Sequence, residues 1–231
     1  MSADMAAHAP DAAETPVPPA PLPPPDPNLL ASARYRWSIG LGLAALQSVF
    51  YFGIGNLDLH RSTELLRTRL DDAIPFWPWT SWCYLPFYAA IFVMAIGGFR
   101  HRGLFNRTAR SVLLVMFVGA LCHALIGAEY PRPVLHPPLH GISEVFMAWV
   151  QSVDRPGNVF PSLHVAHTTM LSVLLIRDRP VLGRVALVMA TMLALSTLTT
   201  KQHFIADVVS GYFLALVGAA WALRGLPRST N

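Results

Sequence analysis

Residues 204–223 read FIADVVSGYFLALVGAAWAL, and Asp207 is the one charged side chain among them. A helix of this length extends about 30 Å, which matches the hydrocarbon thickness of a bilayer. Backbone polar groups find no partners in lipid, so such a run crosses the membrane as an α-helix. The stretch therefore predicts a transmembrane helix. Asp207 indicates a functional position, because an ionisable group inside a membrane is costly.

The composition extends this prediction to most of the chain. Of 231 residues, 53% are hydrophobic and 13% are charged, and the mean hydropathy is +0.43. Ordinary soluble domains carry about 25% charged residues. Five more apolar stretches lie before residue 204, at 37–55, 79–98, 111–128, 162–176 and 181–199. We predict an all-α membrane protein, a six-transmembrane-helix bundle with short interfacial helices on its outer face. The stretch 162–176 is short and polar for a span.

The arginines predict how the bundle is oriented. The net charge of +4 and the pI near 9.4 would alone fit a nucleic-acid-binding protein. Most of the basic side chains instead flank the apolar runs on alternate connections, as the positive-inside rule expects. They are Arg34, Arg36, Arg100, Arg102, Arg107, Arg110, Arg177, Arg179, Arg184, Arg224 and Arg228. We predict no nucleic-acid partner, and cytoplasmic N and C termini. We expect a bacterial inner membrane, with the active site on the periplasmic side.

The two ends of the chain differ in composition from the apolar part. Residues 1–28 are rich in proline and lack apolar periodicity, which predicts a disordered cytoplasmic tail. They also lack the basic start and apolar core of a cleaved signal peptide, so we expect the first span to be an uncleaved signal anchor. The predicted membrane domain covers 29–225, and 226–231 form a short cytoplasmic tail.

Two outer connections contain predicted helices. Residues 62–73 fit a short helix capped by Ser62 or Thr63. In 142–150, apolar residues recur at helical spacing, which predicts an amphipathic helix that lies along the interface. That helix would be a lid over the bundle or a gate for a lipid head group. The aromatic-rich residues 76–84 fit an interfacial belt at the end of the second span.

Titratable side chains collect at the outer ends of the predicted spans. His164 opens the fourth span after Pro161, where the free amides of a helix N-terminus attract an anion. His203 precedes the sixth span, and Asp207 follows four residues later on the same helix face. A carboxylate on one ring nitrogen fixes the histidine tautomer and leaves the other nitrogen as base or nucleophile. These residues predict a catalytic site.

Other titratable groups fit structural roles. We expect His167 to be a hydrogen-bonded core histidine, and Cys83 and Cys122 to be small buried side chains. His136 and His140 have no third ligand at a recognisable spacing. We therefore predict no metal site and no cofactor.

Three segments resemble motifs of the type 2 phosphatidic acid phosphatase (PAP2) superfamily. Phe160-Pro161-Ser162-Leu163-His164 resembles the family's PSGH motif, and residues 196–207, STLTTKQHFIAD, resemble SRxxxxxHxxxD. Tyr130-Pro131-Arg132-Pro133 supplies the end of a third motif, KxxxxxxRP. The resemblance extends from the third span to the sixth. It implies a six-helix membrane fold and metal-independent phosphoryl transfer through a phosphohistidine.

The resemblance also implies a role for each matching residue. His203 would be the nucleophile, oriented by Asp207, and His164 would protonate the leaving oxygen. Arg132 and Ser162 would hold the phosphoryl oxygens. These roles suit the hydrolysis of a phosphate monoester, which is very slow without a catalyst. Its catalysis depends on positioning the reacting groups and on neutralising the charge of the phosphoryl oxygens.

Three positions depart from the family motifs. Leu125, Leu163 and Thr197 stand where the motifs have Lys, Gly and Arg. Lys201 would replace one missing cation at the phosphate if the last outer connection folds over the site. Otherwise it is a snorkelling interfacial residue. The pattern STxxxKQH is also similar to a divergent branch of the superfamily that groups with inositolphosphoryl-ceramide-synthase-like transferases.

Three functions fit this sequence. The first is a lipid phosphatase that cleaves a phosphatidate-type, isoprenoid-type or sphingoid-type phosphate or diphosphate at the extracytoplasmic face. The second is a lipid head-group phosphotransferase that uses the same histidines but passes the group to an alcohol. The third is prompted by the missing Lys and Arg. It is a non-catalytic membrane protein with a decayed site.

Overall fold

The computed structural model of the chain describes residues 32–55, 57, 62, 64–154 and 156–226. This part of the chain forms eight α-helices and a 3₁₀ turn at Pro78–Thr80. The helices are α1 Ala33–Gly55, α2 Arg69–Ala73, α3 Ser81–Gly98, α4 Arg102–Ile126, α5 Ile142–Val153, α6 Leu163–Asp178, α7 Pro180–Thr199 and α8 Ile205–Leu223. Thr63, the proline-rich residues 1–28 and the predicted tail beyond residue 226 lie outside the described residues.

Five helical segments of the described chain have the length and apolar composition of a membrane span. One of them, α4, begins at Arg102 rather than near residue 111, because the helix continues past the apolar stretch into its arginine-rich start. The five segments are Ala33–Gly55, Pro78–Gly98, Arg102–Ile126, Pro180–Thr199 and Ile205–Leu223. They confirm the all-helical prediction and fit an integral membrane protein.

The predicted fourth span is a shorter helix at the centre of the bundle. α6 has 16 residues, which corresponds to about 24 Å. It packs against α3, α4, α7 and α8, and it is not among the five long apolar segments. The buried Thr169 hydroxyl has no partner among the described residues. Two other hydroxyl groups are satisfied within the helix, since Thr168 donates to the His164 carbonyl (2.7 Å) and Ser172 to the Thr168 carbonyl (2.6 Å). A polar helix can therefore occupy the core.

One end of the bundle is rich in basic residues. Arg36, at the start of α1, donates to a carbonyl near the end of α3 (2.8 Å). Arg107, near the start of α4, donates to a carbonyl at the end of α8 (3.3 Å). The Asp178 carboxylate, at the end of α6, lies 2.7 Å from Nδ1 of His101 before α4. α1, α4 and α7 therefore begin at this end, whereas α3, α6 and α8 end there, so alternate connections meet at this end.

The short helix α2 closes part of the opposite end. It begins at Arg69 rather than near residue 62, because Thr68 and Asp71 form a capping box. The Asp71 carboxylate also accepts the Ile205 amide hydrogen at 2.8 Å. α2 is thereby attached to the first residue of α8.

The amphipathic helix predicted at 142–150 is present as α5, and it extends to Val153. Its residues Met147 and Val150 are fully buried against the bundle. Ile142, Val145 and Trp149 are exposed. α5 thus presents apolar side chains outward as well as toward the bundle.

α6 and α8 approach closely at Gly211. A β-carbon at this position would lie 2.7 Å from the Ser162 carbonyl oxygen, closer than real side chains approach. The missing side chain lets the N-terminal ends of the two helices meet, and the Ser162 amide donates to the Asp207 carbonyl (3.0 Å). This contact brings His164 and His203 to the same place.

Candidate active site

A tight turn between α7 and α8 places His203 just before α8. The Thr197 carbonyl accepts hydrogen bonds from the amides of Gln202 (2.9 Å) and His203 (3.2 Å). Lys201, inside this turn, has φ = 56°, a left-handed conformation that few non-glycine residues adopt. Thr197, which stands where the motif has arginine, therefore shapes the turn through its main-chain carbonyl.

His203 and Asp207 form the pair that their spacing predicts. Asp207 Oδ2 lies 3.3 Å from His203 Nδ1 and accepts the Phe204 amide hydrogen at 2.8 Å. The two side chains are 3% and 0% exposed. The contact at Nδ1 leaves Nε2, which makes no hydrogen bond within the described residues. Nε2 is thus the nitrogen that can act as a nucleophile.

His164 faces His203 across the site. Its ring centroid lies 5.9 Å from that of His203. Tyr84 and Tyr88 line its other sides, at centroid distances of 4.8 and 4.7 Å. Two imidazoles at this separation can serve the two sides of one transferring group, one as nucleophile and the other as acid.

The N-terminus of α6 lies beside these histidines. Ser162 caps it by accepting the Val165 amide hydrogen (3.4 Å), and its own amide is bonded to the Asp207 carbonyl. In this structure Ser162 is therefore a link between two helices. The amides of Leu163 and His164 have no hydrogen-bond partner among the described residues, so they are available to an anion.

Arg132 approaches the site from the loop after α4. The Tyr130 ring holds this loop against Phe204, with centroids 4.3 Å apart. Burial raises the pKa of Tyr130 to about 12, so its phenol stays neutral. The Arg132 guanidinium donates to the main-chain carbonyl of Asp154 and, at 3.4 Å, to its carboxylate.

Asp154, which no family motif contains, joins several parts of the site. Its carboxylate accepts hydrogen bonds from the hydroxyls of Tyr51 and Tyr84, the latter at 2.9 Å. The Tyr84 hydroxyl is also 3.3 Å from Nδ1 and 3.2 Å from Nε2 of His164. The sequence signal for Asp154 is weak, an acidic residue after an amphipathic helix. Its partners come from α1 and α3, far away along the chain.

The Lys201 side chain is directed to α2 in this structure. Its ammonium donates to the Asp71 main-chain carbonyl at 2.7 Å. Partial burial lowers the pKa of Lys201, and the charges of Asp71 and Asp72 oppose this shift. Binding a phosphate would require the bond to Asp71 to break. The structure brings together His203, Asp207, His164 and, through Asp154, Arg132.

The remaining candidates lie outside this arrangement. His167 is fully buried deeper in α6, with Phe92 edge-on at 6.0 Å. His136 and His140 are exposed, and the described residues contain no group of three or more potential metal ligands. Cys83 and Cys122 are half-buried free thiols.

The long apolar helices fit an integral membrane protein, and two histidines meet at one end of the bundle. The sequence model described as the PAP2 superfamily matches residues 58–221, which include all six residues predicted for the site. No curated protein and no solved structure matches the chain significantly. Because the family match covers most of the chain, this chain belongs to the PAP2 superfamily.

Proposed function

We propose that the protein is a membrane-embedded phosphatase that removes phosphate from a lipid phosphate or diphosphate through a phosphohistidine. The observation that carries this proposal is the buried His203–Asp207 pair with the His164 ring 5.9 Å away. The surrounding helices are apolar and long enough to cross a bilayer. A substrate anchored in the membrane would therefore present its head group at this end of the bundle.

Each catalytic group has a defined task in this proposal. His203 Nε2 attacks phosphorus, and the bond from phosphorus to the leaving oxygen breaks while His164 donates a proton to that oxygen. Asp207 stabilises the charge that develops on the His203 ring. His164 then takes a proton from the attacking water, which cleaves the phosphorus–nitrogen bond and releases phosphate. Arg132 would neutralise the phosphoryl oxygens.

We further propose six crossings, with α6 as the shortest, and an outer site. The start of α6 contacts α8 beside the histidines, whereas its end contacts His101 at the basic end. Basic residues favour the cytoplasmic side, so the histidines would face outward. The exposed Trp77 and Trp79 fit the interface on that side.

A second candidate is the phosphotransferase. The nucleophile His203 is only 3% exposed, so bulk water has restricted access to it. A lipid or polyol alcohol bound in the site would then compete well for the phosphohistidine, with His164 as its base. The similarity of the STxxxKQH pattern to transferases supports the same alternative.

One experiment separates these candidates. Purified protein in EDTA is incubated with lipid phosphates of the three classes, with and without acceptor alcohols, and both free phosphate and new phospholipid are measured. We expect phosphate release without an acceptor, lost in His203→Ala. The matched control is His101→Ala, which removes a histidine at the opposite end of the bundle.

The other outcomes have distinct meanings. New phospholipid formed only with an acceptor, and lost in His203→Ala, would replace the phosphatase with the transferase. Activity that EDTA abolishes would contradict the metal-independent mechanism. No product from any substrate would favour a non-catalytic protein with a decayed site.

A further inference from the structure

Asp154 is a buried carboxylate for which the mechanism above has no task. It is 8% exposed and lies beside the catalytic histidines. A carboxylate loses much free energy when it leaves water unless charged and hydrogen-bonding groups surround it. At this position such groups are present on three sides. They come from α1, α3 and the loop after α4.

The contacts around Asp154 use both carboxylate oxygens. Oδ1 accepts from the Tyr51 hydroxyl, and Oδ2 accepts from the Tyr84 hydroxyl at 2.9 Å and lies 3.4 Å from Nη2 of Arg132. Arg132 also donates to the Asp154 main-chain carbonyl. The carboxylate is therefore held in one orientation, with its charge partly balanced by the guanidinium.

Tyr84 connects this carboxylate to His164. A phenol has a single hydroxyl hydrogen, and the short contact to Oδ2 directs it at Asp154. The lone pairs of the Tyr84 oxygen are then turned toward the His164 ring, whose nitrogens lie 3.2 and 3.3 Å away. The oxygen is nearly equidistant from the two nitrogens, so it contacts the ring as a whole and restrains its position rather than bonding one N–H group. Burial of His164 opposes a positive charge on its ring, and the negative charge of Asp154 acts against that effect.

We propose that Asp154 is a positioning residue for the general acid, holding His164 through Tyr84 in the orientation and charge state that protonates the leaving oxygen. This inference rests on the proposed phosphoryl-transfer function. Asp154 acts without touching the substrate, because Tyr84 stands between its carboxylate and the imidazole. Arg132 fixes the carboxylate and contributes its own charge to the site.

The position of Asp154 along the chain supports this role. It ends α5, where its amide donates to the Val150 carbonyl at 2.9 Å. α5 itself is fixed on α3 by the Phe146 ring, stacked on Trp82 at 4.3 Å. The carboxylate is thus held by a packed helix end rather than by a free loop.

The test compares pH profiles of kcat for wild type, Asp154→Asn and Tyr84→Phe. Several other polar and charged groups face His164, and they are unchanged in both variants. These are Tyr51 from α1, Tyr88 from α3, His167 from α6 itself, Arg132 from the loop after α4, and His203 before α8. Asp154→Asn preserves the side-chain shape and removes the charge.

We expect kcat of Asp154→Asn to fall at least tenfold near neutral pH. We expect the alkaline limb of its profile to move to lower pH by about one unit. The sign follows because the alkaline limb records proton loss from the general acid, and that acid loses its proton more readily without the neighbouring negative charge. Tyr84→Phe should move the limb in the same direction.

Asp178→Asn is the matched control, because it removes a carboxylate that is also buried and hydrogen-bonded, but at the opposite end. Its pH profile should coincide with that of wild type even if it unfolds at lower temperature. If Asp154→Asn does not fold, the direction of the shift in Tyr84→Phe decides the matter.

Two results would overturn different claims. If the alkaline limbs of the folded Asp154→Asn and Tyr84→Phe variants match wild type while His203→Ala is inactive, the role of Asp154 is wrong and the phosphatase stands. If His203→Ala is as active as wild type, the proposed function itself fails.

Discussion

At the residue scale, the partner of each ring nitrogen distinguishes the histidines of this protein. His203 has a carboxylate on Nδ1, which suits a nucleophile. His164 has the Tyr84 hydroxyl and aromatic rings around it, and its ring faces that of His203. His123 is buried with Nε2 3.1 Å from the Pro161 carbonyl, a structural contact behind the site. Histidine side chains thus have three different environments within one small region.

The proposed acid role of His164 predicts a dependence on the leaving group. His164→Ala should lower kcat for an alkyl phosphate by about 10²- to 10⁴-fold, because the alkoxide then leaves without a proton. Its effect on p-nitrophenyl phosphate should be much smaller, since nitrophenolate leaves readily by itself. Parallel rate measurements with the two substrates check this, and His203→Ala should abolish both activities. Equal losses for the two substrates in His164→Ala would contradict an acid role.

The sequence predicted the contact between His203 and Asp207 but not the residues that surround this pair. His203 and Asp207 are four residues apart on one helix, so their contact follows from helix geometry. The contact of Tyr84 with Asp154 joins residues 70 positions apart and depends on how α3 packs beside α5. The direction of the Lys201 side chain was equally unpredictable, because its ammonium binds a carbonyl of α2. That helix begins at Arg69 and not, as the sequence predicted, near residue 62.

At the element scale, the short helix α2 stabilises the start of α8 and hence the position of His203. The Asp71 carboxylate is 2% exposed and binds the Thr68 and Ile205 amides at 2.8 Å each. A loss of this carboxylate leaves two amides without their partner. The helix carrying Asp207 would then lose a restraint at its first residue.

Replacement of Asp71 should therefore destabilise the folded protein. We expect Asp71→Ala to lower the free energy of unfolding by about 1–3 kcal/mol, the typical cost of unsatisfied buried groups. Asp72→Ala is the matched control, because Asp72 is half-exposed and pairs with the exposed Arg67. Its effect should be about 0–1 kcal/mol. Unfolding titrations in mixed micelles measure the free energy of unfolding of both variants. Equal effects would contradict the proposed restraint of α8 by Asp71.

The apolar runs predicted the long helices because lipid-facing surfaces must be apolar along their whole length. α6 is the exception, because polar side chains interrupt its apolar sequence. Its neighbours are protein on all sides, so its composition follows the site and not the lipid. The ends of α2 and α4 depend on capping and on polar extensions, which hydropathy does not report.

At the scale of the whole molecule, the bundle has two chemically different ends. One end carries most of the arginines and the Asp178–His101 contact, and the other carries the two histidines near α2 and α5. The antiparallel helices separate these ends by the thickness of the bundle. This arrangement predicts that the two ends lie on opposite sides of the membrane.

Single cysteines test that arrangement in intact cells. After replacement of Cys83 and Cys122, a cysteine at Arg102 should resist an impermeant thiol reagent, whereas one at His140 should react. Both positions are exposed, so accessibility alone does not separate them. Detergent lysis should make both reactive and provides the control. The reverse labelling pattern would put the site on the cytoplasmic side.

The central claim is that His203 carries the phosphoryl group, and a trapping measurement tests it most directly. The protein is mixed briefly with a lipid phosphate labelled in its phosphoryl group, quenched in alkali and digested for peptide mapping. We predict label on the peptide containing His203, lost on mild acid treatment and absent in His203→Ala. Undiminished turnover in His203→Ala, or label at another residue, would contradict the account.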